Sequence, residues 1–419
     1  MKAFFASVLG IIVAISLLEG LSRLYYTMRN DTSYDAVRII GALGAQGVSG
    51  DLPETASQLP KMYADQREII HPYSGYIRDY NAAFRRNYGY DTEYAPLQHR
   101  SPDQVIIGFF GGSVALHLHH ALERAMAKAF ADVGDKRRVV LVNFAMGGYK
   151  QPQQLNTLTY FLAMGAEFDL VVNLDGFNEL ALSVADNLSQ GVSPFYPRLW
   201  NLRVSDTMDA ERLHNIAAVA ALQDRLDGIV SGLRLPVLSQ SAAWGLVSIW
   251  RAQRTQTEMR ARVAAMTADT KAPFVQSGPP LAAQDTDAVL AALAGFWARC
   301  SRLMQAACQA SGCAYLHVLQ PNQYVAGAKV LSREELATAY APEAPYSAAA
   351  LQGYPALIGE GRKLAAEGVP FVDATPLFRD QAGTVYADAC CHLNDDGNAM
   401  LAAFVAQKAL AVLGVAKAP

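Results

Sequence analysis

Five residues in this chain have the types that acyl transfer needs: Ser113, Gly148, Asn178, Asp388 and His392. A serine hydroxyl is a poor nucleophile until a base removes its proton. Imidazole is near its working pKa at neutral pH, which suits His392 to that task. A carboxylate on the second ring nitrogen sets the tautomer and stabilises the imidazolium, the part open to Asp388. The tetrahedral oxyanion needs preorganised donors, and the N–H groups of Ser113 and Gly148 with the side chain of Asn178 could supply them. Each residue also has a plainer reading. Ser113 stands in a Gly-Gly-Ser turn, glycine at 148 permits positive φ, Asn178 could cap a helix and His392 could flank one. Their placement in the chain favours the chemical reading.

That placement comes from the elements around them. Short apolar runs occupy about 105–110, 139–144, 170–174 and 314–319, with a last one near 370–372. Helical patterns fill about 114–133, 151–164, 283–310, 348–366 and 397–413. Short continuous apolar runs alternating with helices predict an α/β fold with a parallel sheet covered on both faces. An open doubly wound sheet fits, and such sheets gather their sites at the carboxyl ends of the strands. Gly111-Gly112-Ser113 ends the first run and Met146-Gly147-Gly148 follows the second. Asp175-Gly176-Phe177-Asn178-Glu179 follows the third, and Asp388 to His392 precede the final helix.

These blocks together resemble the SGNH (GDSL-like) hydrolase superfamily. Phe110-Gly111-Gly112-Ser113 is similar to its Ser block, and Asn143 to Tyr149 to its Gly block, with Gly148 at the oxyanion position. Gly176-Phe177-Asn178-Glu179 is similar to its Gly-x-Asn-Asp block, and Tyr386 to Asn398 to its closing Asp/His block. The resemblance covers about residues 100–415 apart from an insertion. It implies a flavodoxin-like three-layer α/β/α SGNH fold with a mainly parallel sheet. It assigns Ser113, His392 and Asp388 as the catalytic set and Ser113, Gly148 and Asn178 as oxyanion donors. No metal or organic cofactor is implied. Three departures stand out. Gly-Gly-Ser replaces Gly-Asp-Ser, Glu179 stands where Asp is usual, and Asp388 precedes His392 by four residues where three is commonest.

The implied activity is a serine esterase cleaving an O-acyl ester, O-acetyl included, on a glycan or an acylated small molecule. An O-acyltransferase using the same triad is one alternative. A non-catalytic glycan-binding or assembly module with a degenerate site is another. Residues 111–115 also resemble the G-x-S-x-G elbow of α/β-hydrolases, with Ala115 at the last place. In that fold the acid usually lies well before the histidine, whereas the acid–histidine pair here is compact and C-terminal.

Two histidine-bearing runs need separate readings. His117-Leu118-His119-His120 lacks a carboxylate or cysteine beside it, so it reads as helix surface, with His117 a candidate for pocket lining. His317 to Gln323 ends a strand and reads as core or turn packing, although His317 and Gln320 could reach the site.

The chain opens with Met1-Lys2 and an apolar run from Ala3 to Leu18, interrupted by Glu19. As a helix this run is about 24 Å long at about 1.5 Å per residue, short of a bilayer core of about 30 Å. Residues 20–26 could extend it through the interface. Residues 1–26 therefore read as a membrane anchor or signal segment, the uncleaved anchor being favoured because no clean small-x-small site follows Leu18. Either reading exports the rest, to the periplasmic side in a bacterial chain of this type. Residues 27–100 look irregular, with turn-formers at Ser49-Gly50-Asp51-Leu52-Pro53. Residues 101–415 form the hydrolase-like domain, and about 180–295 reads as a helical insertion.

Composition limits the remaining choices. The 419 residues are 52% apolar and 17% charged, with a net charge of −3. A chain this apolar buries a sizeable core. Its charge balance argues against a nucleic-acid partner. Five cysteines leave at least one without a partner inside the chain, and no CxxC pair is present to suggest zinc.

Overall fold

The computed structural model describes residues 2–30, 32–36, 39–40, 68–79, 82–204, 210–236, 238–267, 274–283 and 285–415. Residues 41–67, including the turn-formers at 49–53, lie outside them. The chain divides into two units. One comprises Met1–Asp65 and Thr207–Thr270, the other Gln66–Asp206 and Lys271–Pro419.

The second unit is α/β. β1 (Glu68–His71) and β2 (Gly75–Arg78) form an antiparallel hairpin. β3 (Gln104–Gly111), β4 (Arg138–Asn143), β5 (Leu170–Asp175), β6 (Ala314–Leu319) and β7 (Phe371–Asp373) form one sheet in the order β4-β3-β5-β6-β7. All of its pairings are parallel. β5 is buried along its whole length, and β3 from Val105 onward. That explains their unbroken apolar runs: no face meets water, so no polar alternation appears.

The helices form two packed sets. Ser113–Asp132 packs on Asp395–Val412, while Thr286–Ala310 packs on Pro345–Ala366 and Gln153–Ala163. Ser113–Asp132 buries Val114, Leu118, Leu122, Met126 and Phe130, a stripe at helical spacing. Truncating one of these, for example Leu118→Ala, should cost about 2–5 kcal/mol. The helix expected from 348 begins at Pro345, because proline fits the first turn, where its missing N–H costs nothing.

The order of the strands matters for the site. β3 lies inside the sheet next to the edge strand β4; the chain leaves it for β4 on one side and returns to β5 on the other. The crevice at the carboxyl ends of β3 and β5 is thus a topological switch point.

The segment expected as one helical insertion at 180–295 is divided. Helices Ala210–Leu233 and Ala242–Thr267 belong with the N-terminal helix, while the chain to Asp206 belongs with the sheet. Buried polar contacts tie that earlier part down. Arg198 Nε donates to Asp186, Arg198 Nη2 donates to Tyr346 Oη at 2.9 Å, and Ser183 Oγ donates to Pro194 O at 3.0 Å. The described part of 27–100 is also less irregular than expected. It finishes the N-terminal helix and contains the β1–β2 hairpin, whose Tyr76 is fully buried and donates to Gly147 O at 2.8 Å.

In the first unit, the N-terminal helix runs Lys2–Asn30, and within it Ser7–Asn30 is long and apolar enough to cross a membrane. Leu9, Ile12, Ile15 and Leu18 are exposed, which excludes a buried core helix. From Glu19 onward one face is docked instead. Glu19 accepts from Ala242 N at 2.7 Å, Ala243 N at 3.2 Å and Ser241 Oγ at 2.8 Å, at the start of Ala242–Thr267. A carboxylate there satisfies helix-start amides that have no intrahelical partner. Ser22 and Tyr26, on the same stripe, are buried.

Candidate active site

Ser113 is the first residue of its helix, directly after β3. That position exposes the hydroxyl at the strand end and leaves the Ser113 N–H without an intrahelical acceptor. Its neighbour Gly112 has no side chain for a specific reason. A Cβ there would lie 2.2 Å from Asn178 Nδ2. Glycine therefore lets the Asn178 amide come up against the backbone that carries the serine. Asn178 enters from the helix Phe177–Leu182, just after β5, and one of its Nδ2 hydrogens goes to Tyr149 O at 2.8 Å. That leaves its second N–H for the crevice.

Gly148 lies in the turn after β4 with φ +77°, a conformation that favours glycine. A Cβ there would meet Tyr76 Oη at 2.9 Å and Arg198 Cδ at 3.0 Å. Backbone strain and close approach both demand glycine here. The Gly148 N–H has no acceptor among the described residues.

His392 arrives from the far end of the chain. Its Nε2 lies 2.8 Å from Ser113 Oγ, and its Nδ1 lies 2.5 Å from Asp388 Oδ2. The extra residue between Asp388 and His392 is absorbed by the carboxylate itself. Asp388 Oδ1 accepts from the N–H groups of Cys390 at 3.0 Å, Cys391 at 3.1 Å and His392 at 3.2 Å. Burial alone would push this carboxyl up, but the hydrogen bond and charge of His392, with those amides, hold it below its ordinary value. Asp388 therefore stays ionised at neutral pH, as an orienting carboxylate must.

The loop carrying this pair is fixed from outside by Asn322 and Gln323, read from the sequence as part of a packing run, and by Tyr324 and Glu335, which the sequence did not single out. Gln323 Nε2 donates to Asp388 O at 2.9 Å, Tyr324 Oη to Ala389 O at 2.6 Å and Asn322 Nδ2 to Cys390 O at 3.4 Å. Three consecutive side chains beyond β6 thus hold three consecutive carbonyls. Glu335 grips the same loop upstream. Its Oε1 accepts from Val385 N at 2.8 Å and Tyr386 N at 3.1 Å, and its Oε2 pairs with the buried Lys329 Nζ at 2.9 Å. A signal existed in each case: a polar block after a strand, and a Ser332-x-x-Glu335 capping box.

Of the two histidine runs, His117 stands beside the site, its ring centroid 5.1 Å from that of His392. Burial, followed by the charge of His392, pushes its pKa down. His317 is core. Its Nε2 lies 2.8 Å from Asp175 Oδ1 and its Nδ1 2.8 Å from Ser301 Oγ. The same three residue types that meet at the crevice therefore meet a second time, but Ser301 and His317 are 0% exposed and Asp175 2%. No substrate can reach that set. It braces β5, β6 and the Thr286–Ala310 helix. Gln320 is likewise buried, its N–H on Asp175 O at 2.9 Å.

For metal-binding groups, the thiols of Cys390 and Cys391 and a nitrogen of His392 lie within 4.8 Å of one another. No disulfide joins the described cysteines. No protein-family model matches the chain, and no curated protein matches it.

Proposed function

We propose that this chain is a serine-dependent esterase of the SGNH type that cleaves an O-acyl ester. Ser113 attacks the acyl carbonyl as His392 takes its proton. Asp388 holds the imidazole and stabilises its charged form. The oxyanion is held by the N–H groups of Ser113 and Gly148 and by Asn178. The leaving alcohol takes its proton back from His392, and water repeats the sequence on the acyl-enzyme. A strand order with the switch point between β3 and β5 supports the flavodoxin-like form of the fold. The suggestion of a glycan as the carrier of the acyl group rests only on analogy with the SGNH superfamily.

The observation that carries this reading is the continuous contact Asp388–His392–Ser113 at an accessible strand end. The buried Asp175–His317–Ser301 set is the internal control: it has comparable contacts and no access. Kinetics with a chromogenic acetyl ester test the reading, Ser113→Ala being the reference. Product analysis with a sugar acceptor present separates hydrolysis from transfer, because both use the same acyl-enzyme.

The docked half of the N-terminal helix supports retention of that segment as an anchor; that the rest of the chain lies on the extracytoplasmic side is the reading its export implies. A cleaved leader would not be expected to cap a helix more than two hundred residues away, as Glu19 does.

A further inference from the structure

The turn that absorbs the extra residue contains two adjacent thiols, and nothing in the hydrolytic mechanism uses them. Cys390 Sγ and Cys391 Sγ are 3.2 Å apart. Cys390 is partly exposed, whereas Cys391 is 1% exposed. Their two N–H groups are among the donors that hold Asp388 Oδ1. The peptide between the two cysteines therefore serves both the sulfur pair and the carboxylate that orients His392.

We propose that Cys390–Cys391 is an oxidation site whose closure to a vicinal disulfide loosens Asp388 and lowers the activity of Ser113. This rests on the serine-hydrolase reading above. The oxidant is a disulfide of low molecular weight, such as glutathione disulfide. The Cys390 thiolate attacks the S–S bond of that disulfide and expels one thiol, leaving a mixed disulfide on Cys390. The Cys391 thiolate then attacks the Cys390 sulfur and expels the second thiol. The cysteine pair loses two electrons and two protons, and the oxidant gains them as two thiols. Exposure assigns the roles: Cys390 is the entry point and Cys391 the resolving thiol.

The bond shortens the sulfur separation from 3.2 Å to about 2.05 Å and closes a small ring through the intervening peptide. The Cys391 N–H lies on that ring. Closing it turns the amide that now points at Asp388 Oδ1, and the Cys390 carbonyl held by Asn322 must move with it. The oxidised turn cannot keep all of its present donors on the carboxylate.

The test uses the full chain, reduced or treated with glutathione disulfide. Intact mass reports the ring as loss of two hydrogens without a glutathione adduct. The rate of Ser113 phosphonylation by a fluorophosphonate reports the site. The expected result is ring formation with labelling slowed on the order of tenfold or more, restored by dithiothreitol; full loss of a correctly oriented carboxylate costs about 10⁴. Cys391→Ser should trap a stable glutathione adduct on Cys390, and Cys390→Ser should make the labelling rate independent of redox state. Formation of a ring with unchanged labelling overturns the switch, as does a ring that forms between other cysteines. If Ser113 reacts in neither redox state, the hydrolase reading fails and the switch fails with it. Intact mass distinguishes that outcome from a failure of the cysteine pair to oxidise.

Discussion

His392 Nε2 and Ser113 Oγ are 2.8 Å apart although 279 positions separate them in the chain. Each is delivered by a different device. Ser113 is placed by the end of β3 and the start of a helix. His392 is placed by a turn wrapped around Asp388 and pinned by Asn322, Gln323, Tyr324 and Glu335.

Asp388→Asn keeps the size of the side chain but replaces the acceptor facing His392 Nδ1. The imidazole loses the support that fixes its tautomer and offsets its charge. Ester turnover should fall by up to about 10⁴ in kcat with KM little changed. An unchanged pH–rate profile and rate would show that this carboxylate does not serve His392.

Asn178→Ala removes one donor of the proposed oxyanion site and should lower kcat by about 10²–10³. Gly112→Ala should reproduce much of that loss with Asn178 still present, since the added Cβ would lie 2.2 Å from its Nδ2. Combining the two changes should cost less than the sum of the separate losses. Full additivity in steady-state kinetics would argue that they act apart.

Much of the fold was legible because its strands are buried on both faces. β6 coincides with the expected apolar run, and β3, β4 and β5 lie within a residue or so of theirs at each end. Ser113, Gly148 and Asn178 were visible because glycines and polar residues interrupt apolar sequence where strands end. Division of the 180–295 segment was not legible. It depends on long-range pairs such as Arg198 with Tyr346 and Glu19 with Ala242, whose partners carry no local mark. His317 read as core or turn packing and is core, but the sequence did not show that it pairs with Asp175 and Ser301, a set that only burial separates from the open one.

Glu179, expected as a variant of the family's Asp, is fully buried and takes hydrogen bonds from Gln151 N at 3.0 Å and Gly176 N at 2.8 Å. Burial, then the charge of Asp175, pushes its pKa up to about 8. The folded value lies above the unfolded one, so its stabilising contribution is complete below about pH 4.5 and fades as pH rises toward about 8. Glu179→Gln should flatten this decline. Lys150, which burial brings down to about 7, stays protonated in both states over the lower part of that window. Urea midpoints at about pH 5 and about pH 6.5 should therefore differ more in the wild type than in the variant. Parallel pH dependences would rule out a protonated Glu179.

Retention of the N-terminal helix has its own check. Protein extracted from membranes should still contain Glu19 and Tyr26 by peptide mapping. Glu19→Ala should cost about 0.5–2 kcal/mol of unfolding free energy, as loss of a helix-start acceptor does. A mature chain beginning beyond Tyr26 would contradict the anchor.

The most direct measurement is to treat the folded, reduced chain with a fluorophosphonate and locate the adduct by peptide mass spectrometry. One adduct is expected, on Ser113, abolished in Ser113→Ala and strongly slowed in His392→Ala, with Ser301 unmodified. Folded protein that takes up no label, or that keeps its label in Ser113→Ala, would contradict a nucleophilic Ser113.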